Sequence, residues 1–410
     1  MLTVDSVIRE PDFSVIADIL PSARRSVRNS AEALITLFPG LERLRVYGAR
    51  DGGVPNLCFG HLADHYAERL VEFRCDNSVS LSQDTQFPLV RIAHVTCRKG
   101  SGNAFPRFNS ETLEELFLYY APLSLDLGAC GASDDSPDIV FPKLKILQLL
   151  YHGGDDDDDD DEDNNMQATR QDGRPWRLYF PQLRDISVDC RWSRCPHLEN
   201  AVFPVAMESF KITSNATLLT TIAAKSLPTT QHLNVQVAKN PDNTPGVFAA
   251  INTIMSSMRP CKEVTLDIAD EDLPVLPEDI TFTGLTRLII ASPTSMRTII
   301  ELIQKLRRLE YLRIMDYTID NIPPEVHVPA PDKPELLPPF DTNIETLWIS
   351  RSGAGREKKH SERIWRYLLL RMPSLKRAGL GGAPRKLLAR FVDNYSERYP
   401  HLSSIRYFRG

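Results

Sequence analysis

Short stretches of alternating apolar residues recur along the chain, and several follow the same opening phrase. Residues 38–46 read FPGLERLRV, 141–149 read FPKLKILQL and 180–188 read FPQLRDISV. With the first apolar residue of LxxLxL as marker, the series runs Leu41, Leu70, Val90, Leu113, Leu144, Leu183, Met207, Thr230, Cys261, Leu285, Leu309, Ile344, Leu375 and Leu402. These fourteen markers lie 20 to 39 residues apart, so the array is irregular. The LxL part places its two apolar side chains on one face of a short strand. LEELFL at 113–118, LTRLII at 285–290, LEYLRI at 309–314 and IETLWI at 344–349 are the clearest units. TQHLNV at 230–235 and VRIAHV at 90–95 are degraded ones, with Thr230 and Ala93 at apolar positions.

One such strand cannot hide its apolar face, whereas a parallel stack of them builds a continuous core. The chain must therefore return between strands. Four returns carry helical spacing: residues 30–37, 298–306, 361–370 and 386–399. Ser361 followed by Glu362 predicts the start of the third. Pro39, Pro88, Pro142, Pro181, Pro373 and Pro400 each stand two residues before a marker. Proline there stops a helix, favours extended chain and lacks an N–H where the ladder has not begun. The aromatic or Met before it is expected to plug the end of the core. The fold class is α/β, a solenoid of parallel strands.

This pattern resembles the leucine-rich repeat superfamily, in its irregular, ribonuclease-inhibitor-like branch known from fungal F-box proteins. The resemblance implies a curved horseshoe with strands on the concave face and helices or irregular returns on the convex face. It covers residues 30–410 as about fourteen units, with residues 1–29 as an N-terminal cap or remnant. The Asn or Cys that usually follows LxL is mostly absent; Gly48, Cys75, Cys97, Tyr119, Tyr151 and Cys190 occupy that neighbourhood. Such relatives often carry an F-box that contacts a Skp1-like adaptor of a ubiquitin ligase. The short segment before the first unit contains Ile19-Leu20-Pro21 but no opening of that kind. A Skp1-like partner is thus implied by analogy.

Charge adds two features. Net charge is only -6, yet Asp155 to Asp163 are nine consecutive acids. A block that repels itself cannot be buried, so residues 152–175 are expected to form a disordered acidic insertion. Residues 351–410 hold 15 Lys or Arg against 4 Asp or Glu. Arg356, Lys358, Lys359, Arg363, Arg366, Arg371, Lys376 and Arg377 are the candidate basic patch, suited to an acidic protein partner or the chain's own acidic loop, to nucleic acid or to an anionic membrane surface. Residues 323–340 form a proline-rich insertion, with seven Pro in eighteen residues, expected to run extended.

Candidate chemistry is sparse. P-loop, dinucleotide-binding, HExxH and GxSxG motifs are absent. Cys190, Cys195 and His197 are close in sequence, but structural zinc wants a fourth ligand, which is not evident. No enzyme activity, cofactor or metal is expected. Seven Cys without a CxxC pair suit a reducing compartment. With no apolar run of spanning length, a soluble intracellular monomer, cytoplasmic or nuclear, is expected.

The expected function is protein binding through the residue between the two apolar strand positions. Those residues are Arg45, Arg74, His94, Phe117, Gln148, Ser187, Lys211, Asn234, Thr265, Ile289, Arg313, Trp348 and Gly379. Arg45, Arg74, Phe117, Gln148, Lys211, Arg313 and Trp348 are the candidate contacts, with Phe117 and Trp348 as aromatic anchors. Trp348 could instead pack against the proline-rich insertion. The alternative function is binding of nucleic acid or an anionic membrane through the basic C-terminal region.

Overall fold

A computed structural model describes residues 35, 40–46, 56–75, 85–96, 106–121, 138–151, 177–190, 195–225, 227–237, 244–257, 261–268, 284–318, 328–329, 336–350, 358–381 and 385–409. The expected N-terminal segment 1–29, the acidic insertion 152–175 and Arg356 lie outside them. Most of the expected first helix and of the proline-rich insertion do too. The chain divides into two compact units, Met1–Met207 and Glu208–Gly410.

In the first unit the strands are β1 (Arg43–Val46), β2 (Glu72–Cys75), β3 (Gln86–Phe87), β4 (Ile92–Thr96), β5 (Arg107–Phe108) and β6 (Glu115–Ala121). They continue with β7 (Asp138–Val140), β8 (Ile146–Tyr151), β9 (Arg177–Tyr179), β10 (Asp185–Cys190) and β11 (Ala201–Val202). The main strands lie in the order β1-β2-β4-β6-β8-β10, each beside its predecessor and parallel to it. Their inward residues are the predicted apolar ones: Leu44, Phe73, Ala93, Leu116, Leu147 and Ile186 are all buried.

Of the one helical return expected in this unit, residues 30–37, only Ile35 is described, and it is helical. Helix α1 (Asn56–Tyr66) and the single turn α2 (Pro196–Glu199) occur, but the other described returns are two- or three-residue strands. These pair among themselves as β3-β5 and β11-β9-β7, again parallel. In three of these returns the FPxL phrase favours extended chain just before the marker. Proline drives the residue before it out of the helical region towards extended chain. Phe87, Phe141 and Phe180 therefore sit at or beside short strands and turn fully inward. Phe87 stacks on Phe73 at 5.0 Å and on Phe108 at 5.4 Å, and Phe141 stacks on Phe180 at 5.3 Å between ring centroids. The aromatic of the phrase is thus a link between repeats as well as a plug.

In the second unit the order in sequence is β12 (Ala206–Ser214), α3 (Ala216–Ala223), β13 (Thr229–Val237), α4 (Thr244–Ser257), β14 (Glu263–Ile268), β15 (Arg287–Ser295) and α5 (Met296–Lys305). There follow β16 (Tyr311–Thr318), β17 (Thr346–Ile349), α6 (Lys358–Arg371), β18 (Arg377–Leu380), α7 (Arg385–Tyr395), a 3-10 turn (Pro400–Ser404) and β19 (Arg406–Arg409). Its eight strands are neighbours in chain order, and five of the seven returns hold a described helix. Asn215 and Ser295 cap α3 and α5 by accepting from Leu218 N and Thr298 N at 2.8 and 3.1 Å. Helix α6 begins at Lys358, three residues before the expected Ser361, and turns Ile364, Trp365, Leu368 and Leu369 inward.

A backbone ladder marks the repeat. The residue after each marker donates to the carbonyl of the residue after the preceding one. Val71, Arg91, Glu114, Lys145 and Arg184 do so in the first unit, at 2.7 to 2.8 Å. Lys262, Thr286, Glu310, Glu345 and Lys376 do so in the second, at 2.8 to 3.0 Å. The last unit is offset. Arg406 N donates to Lys376 O and Arg406 pairs with Arg377, so the 3-10 turn places Leu402 two residues ahead of the true marker position.

The packing separates two neighbours on one turn. Phe87 is 0% exposed and Leu89 is 50% exposed. Phe87→Ala should destabilise by about 3–5 kcal/mol, and Leu89→Ala by less than about 0.5 kcal/mol, in urea denaturation of the full chain. Equal losses would mean that the phenylalanine link is not what joins these repeats.

Candidate functional site

Strand register aligns the predicted positions into rows. In the first unit, Arg45 pairs with Arg74, Arg74 with His94, His94 with Phe117, Phe117 with Gln148 and Gln148 with Ser187. In the second, Asn234, Thr265, Ile289, Arg313, Trp348 and Gly379 form a row that continues to Phe408. Lys211 is exposed on β12. Two residues beyond it, Thr213 donates to Gln236 at 3.2 Å. The row side chains are mostly half-buried, while their strand neighbours form the core.

The two rows differ in chemistry. In the first unit the cations are already engaged. Glu72 is 3% exposed and accepts from Arg45 Nε at 2.9 Å and Nη2 at 3.2 Å. Arg74 pairs with the same carboxylate, and Arg43 Nε stands 3.9 Å from it. Burial pushes the Glu72 carboxyl up, but the bonds and charges of Arg45 and Arg74 outweigh it and hold it below the ordinary value. Arg45 and Arg74 thus satisfy a buried acid that alternation alone assigned no role. Phe117 is covered by His94, whose ring stacks on it at 3.9 Å between centroids.

In the second unit the surface is aromatic and cationic. A Cβ placed on Gly379 would meet the Trp348 ring at 2.3 to 2.7 Å, so the indole lies directly over this glycine. The ring reaches Phe408 across it, with centroids 6.2 Å apart and planes 16° from parallel. Arg313 stands 5.9 Å from the indole centroid. Beside this row runs another: His232, Glu263, Arg287, Tyr311, Thr346, Arg377 and Arg406. Arg287 Nε lies 3.4 Å from Glu263 and the guanidinium lies 4.0 Å over Tyr311. Arg377 Nε donates to Thr346 Oγ1 at 3.1 Å.

Described parts of the proline-rich insertion go elsewhere. Tyr395 Oη donates to Pro329 O at 2.7 Å, Tyr399 Oη accepts from Leu337 N at 2.9 Å, and Arg371 Nε donates to Pro338 O at 2.7 Å. Arg371 also lies 3.9 Å over Phe340. Among the described residues, Trp348 meets Gly379, Phe408 and Arg313 rather than this insertion.

The candidate basic patch is dispersed over several elements. Lys358 and Lys359 open α6, and Arg363 is exposed on it. Arg366 lies over the rings of Trp365 and Phe391 at 5.5 and 5.4 Å. Arg371 holds the proline-rich residues, Lys376 pairs with Glu345 at 2.6 Å, and Arg377 belongs to the strand face. Phe408 and Arg406 are the additions that the sequence pattern missed, because the displaced final marker hid the register of β19.

Cys190 and Cys195 are fully buried beside Tyr151, whose hydroxyl burial pushes up; the side chain of His197 lies outside the description. Among the described residues no three His, Cys, Asp or Glu are grouped to hold a metal, and no helix is long and apolar enough to cross a membrane. No protein-family model matches the chain, and no curated protein matches it.

Two tests follow from this geometry. Gly379→Ala drives a methyl into the Trp348 ring and should destabilise by about 1–3 kcal/mol. In the Trp348→Ala background the same change should cost much less, and full additivity in thermal unfolding would contradict the overlay. His94 is the second. Its pKa is pushed down to about 4, first by burial and then by the charge of Arg74. The unfolded chain then binds this proton more readily, so stability is full above 6.5 and is lost as pH falls towards 4. The melting temperature of His94→Gln should fall less steeply than that of the unaltered chain across this window; parallel curves would contradict the burial of the ring.

Proposed function

We propose that the chain is a divergent leucine-rich repeat solenoid that binds a protein partner on its strand face, without catalysis. The carrying observation is the Arg313–Trp348–Phe408 row, where aromatic and cationic side chains stand on the face that the core residues leave open. Trp and Arg are the residue types that most often dominate protein interfaces. The regular ladder and the one-sided apolar pattern support the repeat assignment. A substrate-receptor role beside a Skp1-like adaptor, in the cytoplasm or nucleus, rests on the resemblance to F-box repeat proteins.

The second reading, nucleic acid or an anionic membrane at the basic C-terminal region, has less support. Its bases are divided between α6 and the strands, and Lys376 already has an acid beside it.

The test is affinity purification of the tagged full chain from its own cells, with mass spectrometry at moderate salt. The expected result is one dominant protein whose recovery falls at least tenfold with Phe408→Ala. Nucleic acid or lipid alone, lost as salt rises, would replace this reading with the second. A Skp1-like adaptor and a cullin among the recovered proteins would support the receptor role.

A further inference from the structure

The two register rows of β16 to β19 hold eight open-face positions: Tyr311, Arg313, Thr346, Trp348, Arg377, Gly379, Arg406 and Phe408. Three are arginines and none is a carboxylate. The last acid in these rows is Glu263, already shared by Arg287 and His232. Arg377 and Arg406 are direct register partners, so their Cα atoms stand about one strand spacing, ~4.8 Å, apart. Like charges directly opposite each other are unfavourable. Arg313 Nε is shielded from solvent and has no hydrogen-bond partner among the described residues. The face is short of negative charge at three points around one aromatic surface.

That surface is a single tile. Near-parallel rings 6.2 Å apart leave less than the roughly 7 Å that a third ring between them would need, at about 3.5 Å per contact. No ring can be sandwiched between them, so a partner group can only lie on the tile. Phe408 is 46% exposed and supplies much of the free apolar area.

From this charge complementarity we propose that the Trp348–Phe408 tile and its three arginines bind an acidic peptide segment with an apolar anchor. The anchor lies on the rings, and carboxylates meet Arg377 and Arg406 in the adjacent row. Along a strand, alternate side chains are about 6.6 Å apart, which is the separation of the two rows. The segment therefore carries Asp or Glu within two residues of its Leu, Ile, Phe or Trp anchor. This rests on the protein-binding reading and names its partner class. Charge-assisted bonds from planar guanidinium groups give direction, and the tile gives an apolar contact that salt does not screen.

The test is panning of phage-displayed random dodecapeptides against the full chain, followed by fluorescence polarisation of the enriched peptides. Enriched sequences should show the acid–anchor spacing. Their Kd should rise at least tenfold with Arg377→Ala/Arg406→Ala and with Phe408→Ala, and stay unchanged with Lys305→Ala on α5. Both test variants should retain the circular dichroism spectrum and melting temperature of the unaltered chain. The proposal is overturned by no enrichment, by anchors without acids, by affinity insensitive to the strand-face variants, or by an oligothymidylate dodecamer that binds more tightly and displaces the peptides. If the cells yield a partner protein whose binding ignores these variants, this site is removed while the protein-binding reading stands.

Discussion

The structure depends on one constraint: a short strand with alternating apolar residues can satisfy one face only by stacking on copies of itself. Leu44, Phe73, Ala93, Leu116 and Leu147 occupy the same register position in successive strands and are all buried. The ladder from Val71 to Arg184 ties the start of each strand to the one before, so the register cannot slip by one residue without turning the core side chains outward. Ala93 shows the tolerance. The smallest residue in the row is as fully buried as its larger neighbours, and its register partner Phe73 stacks on Phe87.

The opposite face is what this arrangement leaves for function, and the two units use it differently. In the first, cations surround the buried Glu72 and His94 covers Phe117, so charge and ring are consumed within the fold. In the second, Lys376 and Arg287 have acids beside them, but the last strands gather Arg313, Arg377 and Arg406 around Trp348 and Phe408 with no acid among the described row positions of β16 to β19. Gly379 is the small residue that makes the second arrangement possible. Its missing side chain lets the indole cross a strand and lie flat, where any larger residue would lift it. The helix side binds the described proline-rich residues through Tyr395, Tyr399 and Arg371, which keeps them off the tile.

Strand placement was legible because period-two alternation survives even where single residues are degraded, as at Thr230 and Ala93. The returns were legible only where they are long. The spacing in 298–306 gives α5, but two-residue strands such as β3 and β5 leave no periodic trace. Glu72 was invisible for another reason. A lone acid beside arginines reads as surface, and only the stacking of β1 on β2 shows that one carboxylate serves both. Phe408 was hidden by the 3-10 turn, which shifts the last unit by two residues. The reach of Trp348 over its neighbour depends on which residue stands opposite, and that is a property of register rather than of pattern.

The most direct measurement is site-specific photo-crosslinking in cells, with p-benzoylphenylalanine in place of Phe408 on the strand face and, separately, of Lys305 on α5. The account predicts a protein adduct from position 408 and none from position 305. Adducts from the helix position with none from 408 would contradict it.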